Sequence, residues 1–537
     1  MDFHFATAWE TVADCYPNRT AAICDGTALS WGAYETRAAK IADVLAGHGI
    51  TADSKVGLYL HNCNEYQEAQ FGVFKLGACP INVNYRYKAD ELVYLLDNAD
   101  VEAVFYQACY AMRIWEVRER LPKVKAFIQV DDGTETLMPF ALDYERSIRE
   151  AQSAPRQIRD PNGVYMIYTG GTTGLPKGVM YPVCEFAQYF LVLGAAPRGL
   201  APPAELANYV DFLKQVEPPP ITVTGAPLMH GTGMWLGGFL PQLMGGTSVT
   251  TSKLGLDPDR LWQLVQDHRA SELVIVGDAF ARPLLQALDD AADRDTPYDL
   301  SSLQQIASSG VMWSEETKQG LSRHHDMVLV DIMGSSEGGM GSSMTTREST
   351  ARTAQFNMND GVTVFNEQDE KVQPGSGEIG RIATSGFVPL GYYKDPEKSA
   401  ATFREVDGVR YSFPGDFATI ESDGSITLLG RGSVCINTGG EKVFPEEVEE
   451  AVKKHPLVID SLVVGMPDDR FGQRVVAVVS RRTEALDEAE LMQATEAHLA
   501  GYKMPRQVLW VDEVRRAPNG KADYKWAVAE AERQLGH

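Results

Sequence analysis

The chain has 537 residues, 44% of them apolar and 23% charged, proportions that exclude a disordered, collagen-like or small disulfide-stapled chain. At roughly 150 residues per domain, the length predicts about three to four units. Seventy-three acidic residues against 49 basic ones leave a net charge of −24, which argues against binding nucleic acid or anionic lipid and requires any anionic small molecule to meet cations gathered locally.

Met1–His4 carries no basic segment followed by an apolar run, so the sequence predicts no signal peptide and a cytoplasmic protein. The seven scattered cysteines include no CxxC pair and read as reduced thiols, not a disulfide frame or zinc site. Lys55–Leu60, Pro80–Asn84 and Val101–Tyr106 read as strands, with helices over Asn64–Lys75 and Lys88–Leu96. Pro197–Pro220 is proline-rich and predicts a surface excursion. Pro218–Ser252 contains no charged residue, but Pro227, Pro241 and many glycines interrupt it, which predicts buried strands and tight loops around an apolar cavity and no membrane span.

The alternation resumes with strands at Thr247–Thr250, Glu272–Val276, Gln304–Ala307 and Met327–Ile332. Helices lie between them, one capped by Asp257 and one passing through Leu284, Leu285 and Leu288. Strands separated by helices imply parallel βαβ units with helices on both faces. After about Phe365 the pattern becomes antiparallel, and beyond Arg431 a compact α+β module begins. Its helix opens with Pro445, Glu446 and Glu447 and is followed by strands at Ser461–Val464, Val475–Val479 and Gln507–Val511. The expected division is a large unit 1–431, a hinge at 432–433 and a small unit 434–537.

Directly after the apolar strand Val164–Tyr168 stands the segment Tyr168–Val179, whose Thr169, Gly170, Gly171, Thr172, Thr173 and Gly174 free backbone N–H groups and hydroxyls to wrap a polyphosphate, with Lys177 as a point charge. It is no Walker A loop, because Pro176-Lys177-Gly178 replaces Gly-Lys-Ser/Thr.

This segment resembles the phosphate loop of the adenylate-forming superfamily of acyl-CoA synthetases, luciferases and adenylation domains. The family's other motifs follow in order: Ala226–Gly231, Ser308–Gly310, Met333–Glu337, Tyr411–Asp416, Gly430-Arg431, Thr438–Val443 with Pro445 and Glu449, and Pro518–Lys521. The resemblance covers nearly the whole chain and implies a mixed α/β adenylation domain with mixed sheets and a β-barrel-like part, plus a small mobile C-terminal domain. It implies that a carboxylate attacks the α-phosphate of Mg²⁺–ATP, pyrophosphate leaves, and coenzyme A displaces AMP from the acyl-adenylate.

The resemblance assigns Lys521 to bridge carboxylate and α-phosphate, Glu337 and Thr172 to Mg²⁺, and Thr172, Thr173 and Lys177 to the phosphates. Ser309, Gly310, Val311, Asp331, Met333, Gly334, Ser335 and Ser336 would surround the base and phosphates, and Asp416 and Arg431 the ribose. Gly439, Gly440 and Lys442 would lie along CoA after the small domain turns about Ser433. His230 would be a wall beside the reacting carboxylate and no general base, since that carboxylate is already ionised at neutral pH. Met333 stands where the family has an aromatic, Ser336 where it has Thr, Asp331 where it has Asn, and Ser433 where it has Asp or Lys.

The acyl pocket is expected from His230, Met234, Trp235, Gly238, Gly277, Asp278, Ala279 and Met312, whose small residues suggest a wide cavity. The segments Val276–Pro283, Ile332–Glu337 and Gly430–Val434 look most like actinobacterial synthetases acting on sterol side chains, which points to a steroid, terpenoid or long fatty acid. Two alternatives stay open: delivery to a carrier-protein thiol, and a nonenzymatic lipid- or nucleotide-binding relative. The sequence also leaves a homodimer open.

Overall fold

The computed structural model describes residues 3–169, 175–349, 352–438, 441–468, 472–499, 501–517 and 520–536. Gly170, Gly171, Thr172, Thr173, Gly174, Gly439 and Gly440 lie outside the described residues, as do the side chains of Ser433 and Lys442.

The largest sheet has an antiparallel edge strand, Thr27–Ser30, paired with Thr20–Cys24, and is parallel from there to Val328–Ser335. Thr20–Cys24, Thr247–Thr250, Ile221–Thr224, Glu272–Ile275, Gln305–Ser309 and Val328–Ser335 lie side by side in that order. Short runs of β-branched residues, buried on both faces, favour this arrangement. The hairpin from Val328–Ser335 to Gly338–Thr345 then turns the sheet antiparallel, earlier than the Phe365 expected, and the later strands through Val409–Ser412 continue the same sheet. A second, parallel sheet holds Lys55–Tyr59, Cys79–Asn82, Val101–Gln107, Ala126–Val130 and Leu142–Asp143. Between the two, Val164–Thr169, Lys177–Pro182 and Gly391–Tyr392 form a three-stranded antiparallel sheet. The C-terminal segment has its own five-stranded sheet, beginning at Ile436–Thr438 and ending at Gln507–Val511.

The main core lies where the helices Phe5–Cys15, Asn64–Lys75 and Val183–Ala195 meet. Phe5, Trp9, Phe74, Phe186 and Phe239 interlock there as edge, tilted and stacked pairs. The buried Glu10 carboxylate is matched by Lys75 at 2.7 Å and Arg159 at 2.7 Å, so no charge in that core is left alone.

Two expectations are corrected. Pro197–Pro220 is not merely a surface excursion: its helix Tyr209–Gln215 buries Tyr209, Phe212 and Leu213. The uncharged stretch contains the two expected buried strands, but between them runs a π-helix, Thr232–Phe239, in place of tight loops. Its glycines permit close packing, since a Cβ on Gly233 would overlap the Pro227 carbonyl and one on Gly237 would meet Thr224 at 2.5 Å. No helix among the described residues is long and apolar enough to cross a membrane.

Candidate active site

One cavity of about 420 Å³ runs through the junction of the sheets, with a polar end and an aromatic end. Beside the polar end, outside the residues that line the cavity, Asp416 and Arg431 face each other across paired antiparallel strands, close enough to Lys521 to act on its charge. Arg431 Nε donates to Asp416 Oδ1 at 3.2 Å, while Oδ2 is buried with no hydrogen-bond partner. Burial pushes the Asp416 carboxyl up, against the pull of Arg431. An acceptor held in this way fits a donor such as a ribose hydroxyl.

Glu337 follows the strand that carries Gly334 and Ser335, and its Oε1 accepts from the Tyr392 hydroxyl at 2.8 Å. Thr169, Ser309, Gly310, Gly334, Ser335 and Ser336 line the cavity. Gly310 has φ +97°, a left-handed conformation open to glycine, which ends the strand Gln305–Ser309 in a sharp turn. Lys177 stands at the foot of the phosphate loop, 3.2 Å from Asp395 and over the Tyr392 ring.

Lys521 also lines the cavity. The enclosing protein together with the Arg431 charge lowers its pKa, while Glu337 and Asp416 oppose that shift. The loop carrying it is seated on the large domain: Gly520 has φ +72°, and a Cβ there would lie 2.7 Å from that of Ala279. A similar fit occurs at Gly430, where a Cβ would overlap the Glu446 carboxylate. His230 lines the wall between the two ends, with Nε2 buried and unpartnered. Burial, Lys521 and Arg86 lower its pKa to about 3, so the imidazole is neutral at pH 7.

Several expected residues are placed elsewhere. Asp331 does not line the cavity; its carboxylate forms a buried ion pair with Lys318 at 2.8 Å, because a strand residue facing the helix Glu315–His324 meets a cation there. Met333 packs with Met340 and Phe356 in an apolar cluster, and Val311 packs on a neighbouring one. Of the expected acyl pocket, His230 and Trp235 line the cavity, but Met234, Gly238, Gly277, Asp278, Ala279 and Met312 do not. Gly238 gives clearance to the Met234 sulfur, and Gly277, at φ +50°, lies against the carbonyls of Val311 and Met312. Asp278 is held by Arg282 at 2.9 Å, Thr317 at 2.8 Å and the Ser314 N–H at 3.0 Å. The small residues at 238 and 277 therefore serve backbone packing, not cavity width.

The aromatic end comes from residues the sequence reading passed over. Phe186, Tyr189, Phe190 and Leu193 of the helix Val183–Ala195 line it, joined by Tyr181, Phe387 and the pair Gly338-Gly339. Their i, i+3, i+4, i+7 spacing is the only sequence signal, and it marks a buried helix face as readily as a binding wall.

A two-part α/β fold, with a polar recess opening into an apolar chamber, is the class that this chain and its cavity define. Residues 9–393 match the family model for AMP-binding enzymes and residues 447–521 that for the AMP-binding enzyme C-terminal domain. The chain belongs to the family of AMP-binding enzymes. It is 40% identical over 543 residues, covering 98% of this chain and 96% of the relative, to the medium/long-chain-fatty-acid–CoA/3-oxocholest-4-en-26-oate–CoA ligase of Mycolicibacterium smegmatis. It is 39% identical over 541 residues, 98% of this chain and 96% of the relative, to the 3-oxocholest-4-en-26-oate–CoA ligase of Rhodococcus rhodochrous. Among solved structures, the anthranilate CoA ligase AuaEII in complex with anthranoyl-AMP shares the fold at TM-score 0.85 and 20% identity, over 100% of this chain and 98% of that one.

Proposed function

We propose that the chain is an ATP-dependent acid–CoA ligase for bulky, largely apolar carboxylic acids of the fatty or steroid side-chain class. The observation that carries this reading is continuity: a single cavity joins Lys521, Thr169 and Ser309-Gly310 to a chamber walled by Phe186, Tyr189 and Phe387. The printed activities of the relatives that align along the whole chain agree with it.

In the first half-reaction an acid oxygen attacks the α-phosphorus of ATP and pyrophosphate leaves. In the second, the CoA thiolate adds to the acyl carbon and AMP leaves. Two anions must meet in the first, so fixed cations are needed where charge develops. Lys521 lines the cavity and would bridge carboxylate and α-phosphate. Asp416 Oδ2 would accept from the ribose, with Arg431 holding its other oxygen. Ser309 and Gly310 would border the base, and Thr169, Thr172, Thr173 and Lys177 the phosphates. Glu337, a carboxylate beside that recess, suits Mg²⁺, a hard cation that takes oxygen ligands and would shield phosphate charge when bound. Neutral His230 adds no charge and confines the carboxylate sterically. Gly439, Gly440 and Lys442 would meet CoA once the small domain turns at residues 432–433.

Lys521→Ala tests the scheme. Acid-dependent pyrophosphate exchange should fall by roughly a thousandfold, while thioester formation from supplied acyl-adenylate and CoA is largely kept. Equal loss of both half-reactions would refute separate roles for the two domain orientations.

A further inference from the structure

The lining positions of the helix Val183–Ala195 run along the cavity, from Phe186 through Tyr189 to Leu193. At about 1.5 Å per residue they span roughly 10 Å of it. Along that length one side chain reaches a second element that lines the cavity. Tyr189 reaches the strand Gly338–Thr345 closely enough that a Cβ on Gly339 would lie 2.5 Å from its hydroxyl oxygen. The ring is held on its other side by Phe387, stacked at 5.2 Å with an interplanar angle of 21°, and braced edge-on by Phe190 at 5.7 Å. Leu193, a turn further along the helix, also lines the cavity.

Resting on the ligase reading above, we propose that Tyr189 and Gly339 form a selectivity bar across the acyl chamber, and that they set the preference between acids ending before it and acids reaching past it. Short chains occupy the inner space bounded by Trp235 and Phe186. A long chain or fused-ring acid must thread beside the Tyr189 ring or turn it away from Phe387. Glycine at 339 supplies the clearance for the phenol. A methyl group there pushes the ring into the chamber, whereas loss of the ring merges the inner and outer spaces.

The test compares kcat/KM for octanoate, hexadecanoate and a steroid side-chain acid, read as AMP release with CoA, in the wild type, Tyr189→Ala and Gly339→Ala. The ratio of two acids on one preparation cancels the fraction of folded enzyme. Tyr189→Ala should raise the hexadecanoate-to-octanoate and steroid-to-octanoate ratios by roughly tenfold, and Gly339→Ala should lower both by a similar factor. Ratios that stay unchanged, or that move in the same direction in both variants, overturn the bar. A wild type that releases AMP with none of the acids refutes the ligase reading itself, so the two failures are distinguishable.

Discussion

Around Lys521, which lines the polar end of the cavity from the C-terminal module, Asp416 and Arg431 come from neighbouring strands and Glu337 from a hairpin, each a single charge delivered by a different part of the chain. At the aromatic end, four wall residues come from one helix and differ little in chemistry. On the proposed reading, the first end depends on a few irreplaceable groups whose alignment requires the whole fold. The second would then depend on shape, where one residue exchanged for another of similar size changes which acid is accepted more than whether chemistry occurs.

The most severe way to break this division is Asp416→Ala. Removing the charged acceptor proposed for the ribose should raise KM for ATP roughly a hundredfold with KM for the acid little changed, as steady-state kinetics in each substrate would show. A parallel rise in both constants would mean that the two ends are not separable. A milder probe is Leu193→Trp, which fills the outer chamber. KM for long acids should increase roughly tenfold, with octanoate and ATP unaffected.

The smallest effect calibrates both and lies away from either end. His4 is buried, and its Nδ1 accepts from the Ala6 N–H at 3.2 Å as the cap of the helix Phe5–Cys15. Burial, with Arg159, lowers its pKa to about 3 from 6.5. Below pH 6.5 the unfolded chain takes a proton that the folded one refuses until about pH 3, so stability falls as the pH drops through that window. Urea midpoints at pH 7.5 and 5.5 should show a loss of about 1 kcal/mol more in the wild type than in His4→Asn. Equal losses would show that His4 does not titrate in this way.

The charged positions stand out in the sequence because phosphate and ribose chemistry needs particular residue types in short ordered motifs, and those motifs led to Asp416, Arg431, Glu337 and Lys521. Buried acids produce the same appearance for a different reason. Asp331 stands two residues before the Met333–Glu337 motif, yet its partner Lys318 is on another element. Asp278 follows a glycine in a small-residue segment, yet it is fixed by Arg282 one turn along the same helix. No local pattern separates a wall of the acyl chamber from an ordinary core face, and so Phe186, Tyr189, Phe190 and Leu193 emerge only when helix and sheet are brought together. The π-helix escaped for a similar reason, since its width depends on what Gly233 and Gly237 press against.

The loop that carries Lys521 rests on the large unit with no room to spare. Because a Cβ at Gly520 would lie 2.7 Å from that of Ala279, and φ there is +72°, a single added methyl at 520 acts as a doorstop, unseating the loop without touching a charge. On the proposed two-orientation scheme, such a variant would hold the molecule in its other posture.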